Sequence, residues 1–200
     1  MIDLFIQAAF VENLALTFFL GICTLLGGSR RVDTALGLGA AVLVVLAVTI
    51  PANHILYERL LRDGAWAWAG MPELDLSHLS LICFIGLTAA TVQILEMALD
   101  RFFPTLFRAL GIFLPLITVN CAILGGSLFM VDRHYDLAQS AVFALGSGVG
   151  WALAVATLAA IRERIQDTSQ ADDAGSRARV FVVIGILSMA FLAFSGVRLR

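Results

Sequence analysis

Residues 23–29 read Cys23-Thr24-Leu25-Leu26-Gly27-Gly28-Ser29, and residues 121–127 read Cys121-Ala122-Ile123-Leu124-Gly125-Gly126-Ser127. Five of the seven positions are identical, and the two cysteines lie 98 residues apart in a chain of 200. That offset is about half the chain. A long-period self-similarity of this kind marks an internal duplication. The first repeat covers about residues 1–99 and the second about 100–200.

Working outward from each cysteine, the flanking sequence is apolar for most of its length. Runs with no charge, or nearly none, cover Leu4–Leu26, Ala35–Leu56, Leu79–Leu99, Leu110–Val131, Ala138–Ile161 and Val180–Val197, each 18 to 24 residues long. A bilayer core of about 30 Å takes roughly 20 helical residues per crossing. Six transmembrane helices in one all-α integral membrane domain over residues 1–200 are therefore expected. The connections are too short for a soluble domain. At 60% hydrophobic, 14% charged and a net charge of −2, the composition excludes a secreted, fibrous, disordered or DNA-binding chain. A mean hydropathy of +0.93 agrees. Three cysteines make no disulfide framework. Met1-Ile2-Asp3 carries none of the positive charge of a signal peptide, so the first run is expected to stay as a membrane segment.

Three crossings per repeat is an odd number, so the second copy is expected upside down relative to the first. Inverted repeats place a functional site near the midplane, often beside interrupted helices. The Gly-Gly pair after each cysteine is the expected interruption, because glycine weakens a helix by about 1 kcal/mol relative to alanine. Broken backbone at membrane depth survives only where protein or a cavity covers it. Cys23 and Cys121 are therefore expected to face each other, or a shared partner, inside protein. Thiolates suit zinc, Cu(I) and iron–sulfur clusters, which usually want four soft ligands. This chain offers two, so the site implies a second chain, either a copy or a paralogue. Cys83 has no counterpart in the sixth run and reads as packing.

All 13 positive residues are arginine. With the N-terminus outside, the inner loops carry eight of them and the outer segments five, so the positive-inside bias puts both termini outside. Glu12 and Glu96 are the two carboxylates within the apolar runs. Intramembrane ionisable groups are functional candidates by default. For Glu12 an ion pathway and a structural hydrogen bond to Gln7 or Asn13 weigh equally, and Glu96 reads better as an interfacial ion pair. Ser29, Ser127 and Asn120 are candidate hydrogen-bond donors to sulfur, or equally helix caps. Trp66, Trp68, Phe102 and Phe103 suit the membrane interface. There is no phosphate-binding loop and no basic nucleic-acid patch, so no NADH site is expected here.

The stretches Phe10–Cys23 (FVENLALTFFLGIC) and Leu110–Cys121 (LGIFLPLITVNC) carry a family resemblance. So do Gln93–Arg101 (QILEMALDR), Gly146-Ser147-Gly148 with Trp151, Ile161-Arg162-Glu163, and Phe194–Val197. They resemble the family of E subunits of the sodium-translocating NADH:quinone reductases. The second stretch also resembles the related Rnf ferredoxin:NAD oxidoreductases, but Glu12-Asn13 favours the sodium pumps. The resemblance implies a membrane component of a respiratory complex in the bacterial inner membrane. Electrons there pass from NADH through flavin and iron–sulfur carriers to ubiquinone, coupled to sodium transport. It further implies a 2Fe-2S cluster shared with a paralogous D subunit, with Cys23 and Cys121 as two of its four ligands, and flavin-bearing partner subunits. A small inverted-repeat secondary transporter and a scaffold that only docks flavin subunits are the competing classes.

Overall fold

The computed structural model describes residues 1–62, 77–102, 104, 107, 113–168 and 173–195. Every regular element among them is helical. Helix α1 spans Ile2–Ile6 and continues as a π turn over Gln7–Val11. Helix α2 spans Ile22–Gly28, and α3 spans Val32–Leu56 with a π turn over Tyr57–Leu61. Then come α4 (Ser80–Phe102), α5 (Phe113–Thr118), α6 (Cys121–Asp132), α7 (Leu137–Thr168) and α8 (Asp173–Ser195). Trp66, Trp68 and Phe103 lie outside the described residues.

Among the described residues four stretches are long and apolar enough to cross a membrane: Val32–Leu61, Ser80–Phe102, Pro115–Asp132 and Leu137–Ile165. Ile2–Val11 and Ala178–Ala193 are shorter apolar helices. The expected all-helical membrane domain is thus present, with four stretches of spanning length and two shorter apolar helices among the described residues. The first run differs because it is split, with helix only over its two ends.

The place of the interruption also differs from the sequence expectation. Both breaks fall before the cysteine, at 12–21 and at 119–120, not at the Gly-Gly pair after it. Gly27-Gly28 close α2, and Gly125-Gly126 lie inside α6. Those glycines serve close packing: a Cβ on Gly126 would stand 2.9 Å from Ile50 Cδ1, and one on Gly28 would overlap the Leu38 side chain. Asparagines make the breaks, because their side chains replace helical backbone partners. Asn13 Oδ1 accepts from the N–H groups of Ala15 and Leu16 at 3.0 and 3.2 Å, while its Nδ2 donates to the carbonyls of Ala9 and Gly150 at 3.1 and 2.7 Å. Backbone freed at this depth is thereby satisfied by protein, as an apolar medium requires.

Helices α3 and α7 form the central antiparallel pair. Gly39 meets Ala152 and Val155, while Gly148 meets Leu43. Apolar helices in lipid gain little from hydrophobicity against one another, so small residues that let backbones approach carry the association. One end of the bundle holds Arg30, Arg31 and Val32 beside Arg162 and Glu163, with the Val32 N–H directed at Glu163 Oε2 (3.4 Å). At the other end His54, Tyr57, Glu58 and Arg62 face Met130, Val131, His134 and Tyr135 across a cleft of about 590 Å³. Trp151, Phe84 and Phe143 are the largest fully buried side chains. Ile82, Ile94 and Met97 of α4 and Phe181, Val182, Ile186 and Met189 of α8 are exposed apolar surface.

Candidate metal centre

Cys23 is the second residue of α2 and Cys121 the first of α6, so each follows directly on a break. Gly21, which precedes α2, adopts φ +80°, a left-handed conformation natural to glycine. Asn120 precedes α6 in an extended conformation, and its Oδ1 accepts from the Ala122 N–H at 2.9 Å, an N-cap in the usual sense.

The two helices present these N-terminal ends to each other. The Gly21 N–H donates to Cys121 Sγ at 2.9 Å. Asn120 Nδ2 donates to Thr24 Oγ1 at 3.2 Å, and Thr24 Oγ1 donates to the Gly21 carbonyl at 2.9 Å. Below them Trp151 closes the site: a Cβ on Gly21 would stand 2.8 Å from both Trp151 Nε1 and Asn120 Oδ1. Trp151 lies near the middle of the apolar run Ala138–Ile161, so the meeting point is close to mid-depth. Gly21, Thr24, Asn120 and Ala122 are buried, whereas both cysteines are exposed. The sulfurs therefore sit on the surface of this chain over a tightly packed floor. The N-terminal end of a helix carries partial positive charge and unpaired N–H groups, which favour an anionic sulfur there.

Cys83 is half-buried near the start of α4, beside Phe84, whose ring meets Tyr57 at the cleft end of the bundle. Ser29 and Ser127 do not join the cysteines. Each lies six residues along its helix from the sulfur-bearing residue, about 9 Å at 1.5 Å per residue. Ser29 Oγ accepts from Arg162 Nη1 at 2.6 Å. Ser127 Oγ accepts from Asn53 Nδ2 at 2.8 Å and donates to the Ile123 carbonyl at 3.1 Å. Of the three expected sulfur donors, only Asn120 stands at the meeting point, where it orders backbone.

Glu12, at the end of the π turn, pairs with Arg133 and accepts from Gln7 Nε2 at 3.0 Å. Arg133 also donates to Tyr135 OH at 3.1 Å. Burial opposes its charge, but hydrogen bonds to Glu12 and Tyr135 outweigh this and hold the guanidinium protonated beyond its ordinary range. Glu96 is half-buried on α4 and makes none of the ion pairs found among the described residues. The interfacial pair expected for it is absent there, and neighbouring Asp100 and Arg101 are exposed. Sequence reasoning passed over Gly21, Thr24 and the structural use of Asn13. The available signal was polar or glycine residues inside an otherwise apolar run.

Among the described residues no group of three or more His, Cys, Asp or Glu side chains could hold a metal ion.

The family model described as "Rnf-Nqr subunit, membrane protein" matches residues 1–198. A protein of Ectopseudomonas mendocina, named as the E subunit of Na(+)-translocating NADH-quinone reductase, is 57% identical over 198 residues, which is 99% of this chain and 98% of that protein. A protein of the same name from Pseudomonas paraeruginosa is 56% identical over 99% of this chain and 98% of its own length. Another, from Nitrosomonas europaea, is 56% identical over 98% of this chain and 97% of its own. Two cysteines that each follow a break in an apolar run thus stand in a chain that belongs to the Rnf-Nqr family of membrane subunits.

Proposed function

We propose that the chain is the E subunit of a respiratory Na+-translocating NADH:quinone oxidoreductase of the bacterial inner membrane. It acts there beside a paralogous D subunit and flavin-bearing subunits, and carries electrons across the membrane through a shared 2Fe-2S cluster. Sodium transport belongs to the whole complex. Near full-length similarity to proteins of that name supports the assignment. The electron-carrying role rests on one observation: two cysteines at the meeting N-termini of two half-helices, with the Gly21 N–H on Cys121 Sγ.

The donor set fits such a cluster. A 2Fe-2S cluster takes four thiolates. Cys23 and Cys121 would supply two, and their exposure leaves the other two to a partner's surface. When bound, the cluster would accept and release one electron, dividing a crossing of about 30 Å into shorter hops. This chain's residues hold the ligands. Gly21 directs an N–H at one sulfur, Asn120 and Thr24 tie the two half-helices together, and Trp151 fills the floor. Hydrogen bonds to sulfur and exclusion of water are the protein's means of setting a potential.

Six crossings as two inverted halves, with both termini outside, remain our reading of the membrane arrangement. Two observations support it. The C-terminal end of α2 lies at Arg162 and that of α6 at Tyr135, at opposite ends of α7, so the half-helices run away from each other. Arg30, Arg31 and Arg162 share one end of the bundle, the end the arginine bias places inside.

The test is iron and acid-labile sulfide in the complex purified with this chain. Cys23→Ala and Cys121→Ala should each abolish the share that depends on this chain, and NADH-driven quinone reduction with it. Full iron content and full activity with both cysteines replaced would leave only a scaffold role.

A further inference from the structure

Arg162 stands on α7 at the arginine-rich end of the bundle. Its Nη1 donates to the Leu26 carbonyl at 2.7 Å and to Ser29 Oγ at 2.6 Å. Leu26 lies in the last turn of α2, and Ser29 caps it. With only seven residues, α2 is too short to hold its own shape. Its last carbonyls lack partners within the helix, and an apolar setting makes that costly. A cation at a helix C-terminus also opposes the negative end of the helix dipole. Arg162 answers both needs from a neighbouring, much longer helix. The opposite end of α2 is held by Gly21 on Cys121 and by Thr24 on Asn120. The segment leading into α2, from Glu12 to Gly21, is not helical, so no continuous helix carries α2 from that side, although Asn13 anchors the start of the segment to Ala9 and Gly150. Helix α2 is therefore a strut seated between Arg162 and the N-terminus of α6, with Cys23 on it.

We infer that Arg162 is a positioning residue for Cys23: it fixes how far α2 reaches toward Cys121, and so where the Cys23 sulfur stands. Its bearing on electron transfer rests on the reading of Cys23 as a cluster ligand, whereas its hold on Cys23 does not.

The test uses the purified complex carrying Arg162→Ala, Arg162→Lys or Ser29→Ala. In the iron-bearing complex, Arg162→Ala should shift the paramagnetic-resonance signature and midpoint potential of the cluster, and lower iron retention against a chelator by about tenfold, the usual scale for a group that orients a ligand. Arg162→Lys, which keeps one donor and the charge, should restore most of this. Ser29→Ala, which removes one of the two acceptors, should move the same quantities less and in the same direction. A second readout needs no cluster. In a complex carrying Cys121→Ser, the rate at which N-ethylmaleimide modifies Cys23, followed by mass spectrometry, should change when Arg162→Ala is added. Unchanged signature, potential and modification rate in assembled Arg162→Ala complex would overturn the inference. Should Arg162→Ala fail to assemble, an unchanged signature and potential in Ser29→Ala would overturn it equally. Wild-type iron that does not depend on Cys23 would sink the cluster reading alone, and the modification rate would still decide the role of Arg162.

Discussion

Gly21 concentrates the residue-scale chemistry of the site. Its positive φ, its N–H on Cys121 Sγ and its contact with Trp151 and Asn120 all depend on the missing side chain. Gly21→Ala should cost about 1–3 kcal/mol, the scale of a non-glycine residue held left-handed. A lower unfolding temperature than wild type, in a thermal ramp of the purified complex, would show it. Glu12 makes a different prediction. Its pairing with Arg133 and Gln7 is that of a structural latch between the end of α1 and the C-terminal end of α6. Glu12→Gln should lower complex stability by about 1–3 kcal/mol, because Arg133 loses its counter-charge while partly buried. Sodium ions moved per electron should not change. A changed ratio at unchanged stability would instead put Glu12 in an ion path. Arg133 is held protonated beyond its ordinary range, and a raised basic group stabilises until pH climbs through its folded value. The arginine side of the latch should therefore persist through mildly alkaline media.

At the scale of elements, the interrupted helices are the distinctive feature. A break at membrane depth needs replacement partners for each freed N–H and C=O, and Asn13 alone provides four such bonds. Asn13→Ala should destabilise the complex by about 1–3 kcal/mol, and Asn13→Asp at least as much, since the aspartate keeps the two acceptor bonds but turns its second oxygen on the Ala9 and Gly150 carbonyls at a fully buried position. Denaturant or thermal unfolding of the assembled complex measures both. The repeat motif pointed to a break near each cysteine, but misassigned it to the Gly-Gly pairs. Glycine propensity is a weak local preference of about 1 kcal/mol. Inside α6 the helix continues through Gly125-Gly126, and close packing against Ile50 and Leu20 gives those glycines another use. The asparagine breaks were harder to read, because an amide within an apolar run can cap, bridge helices or bind a ligand. Only the neighbouring backbone decides among these.

On the scale of the whole molecule, orientation is open to direct test. A cysteine introduced between Arg162 and Arg179 should resist an impermeant maleimide added outside intact cells and react once the membrane is opened. Prompt external labelling would reverse the orientation. The sequence by itself determined that this is an all-helical membrane chain with two matched thiols, since apolar run length and composition are local properties that no packing alters. Only the tertiary structure decided that the first run is split, that both breaks precede the cysteines, and that Asn120 and Thr24 hold the half-helices together. It also set Ser29 and Ser127 away from the sulfurs and gave Glu12 to Arg133. Those outcomes depend on which buried polar groups meet across elements about a hundred residues apart, as Gly21 and Cys121 do, and that is a matter of three-dimensional proximity which no stretch of sequence carries.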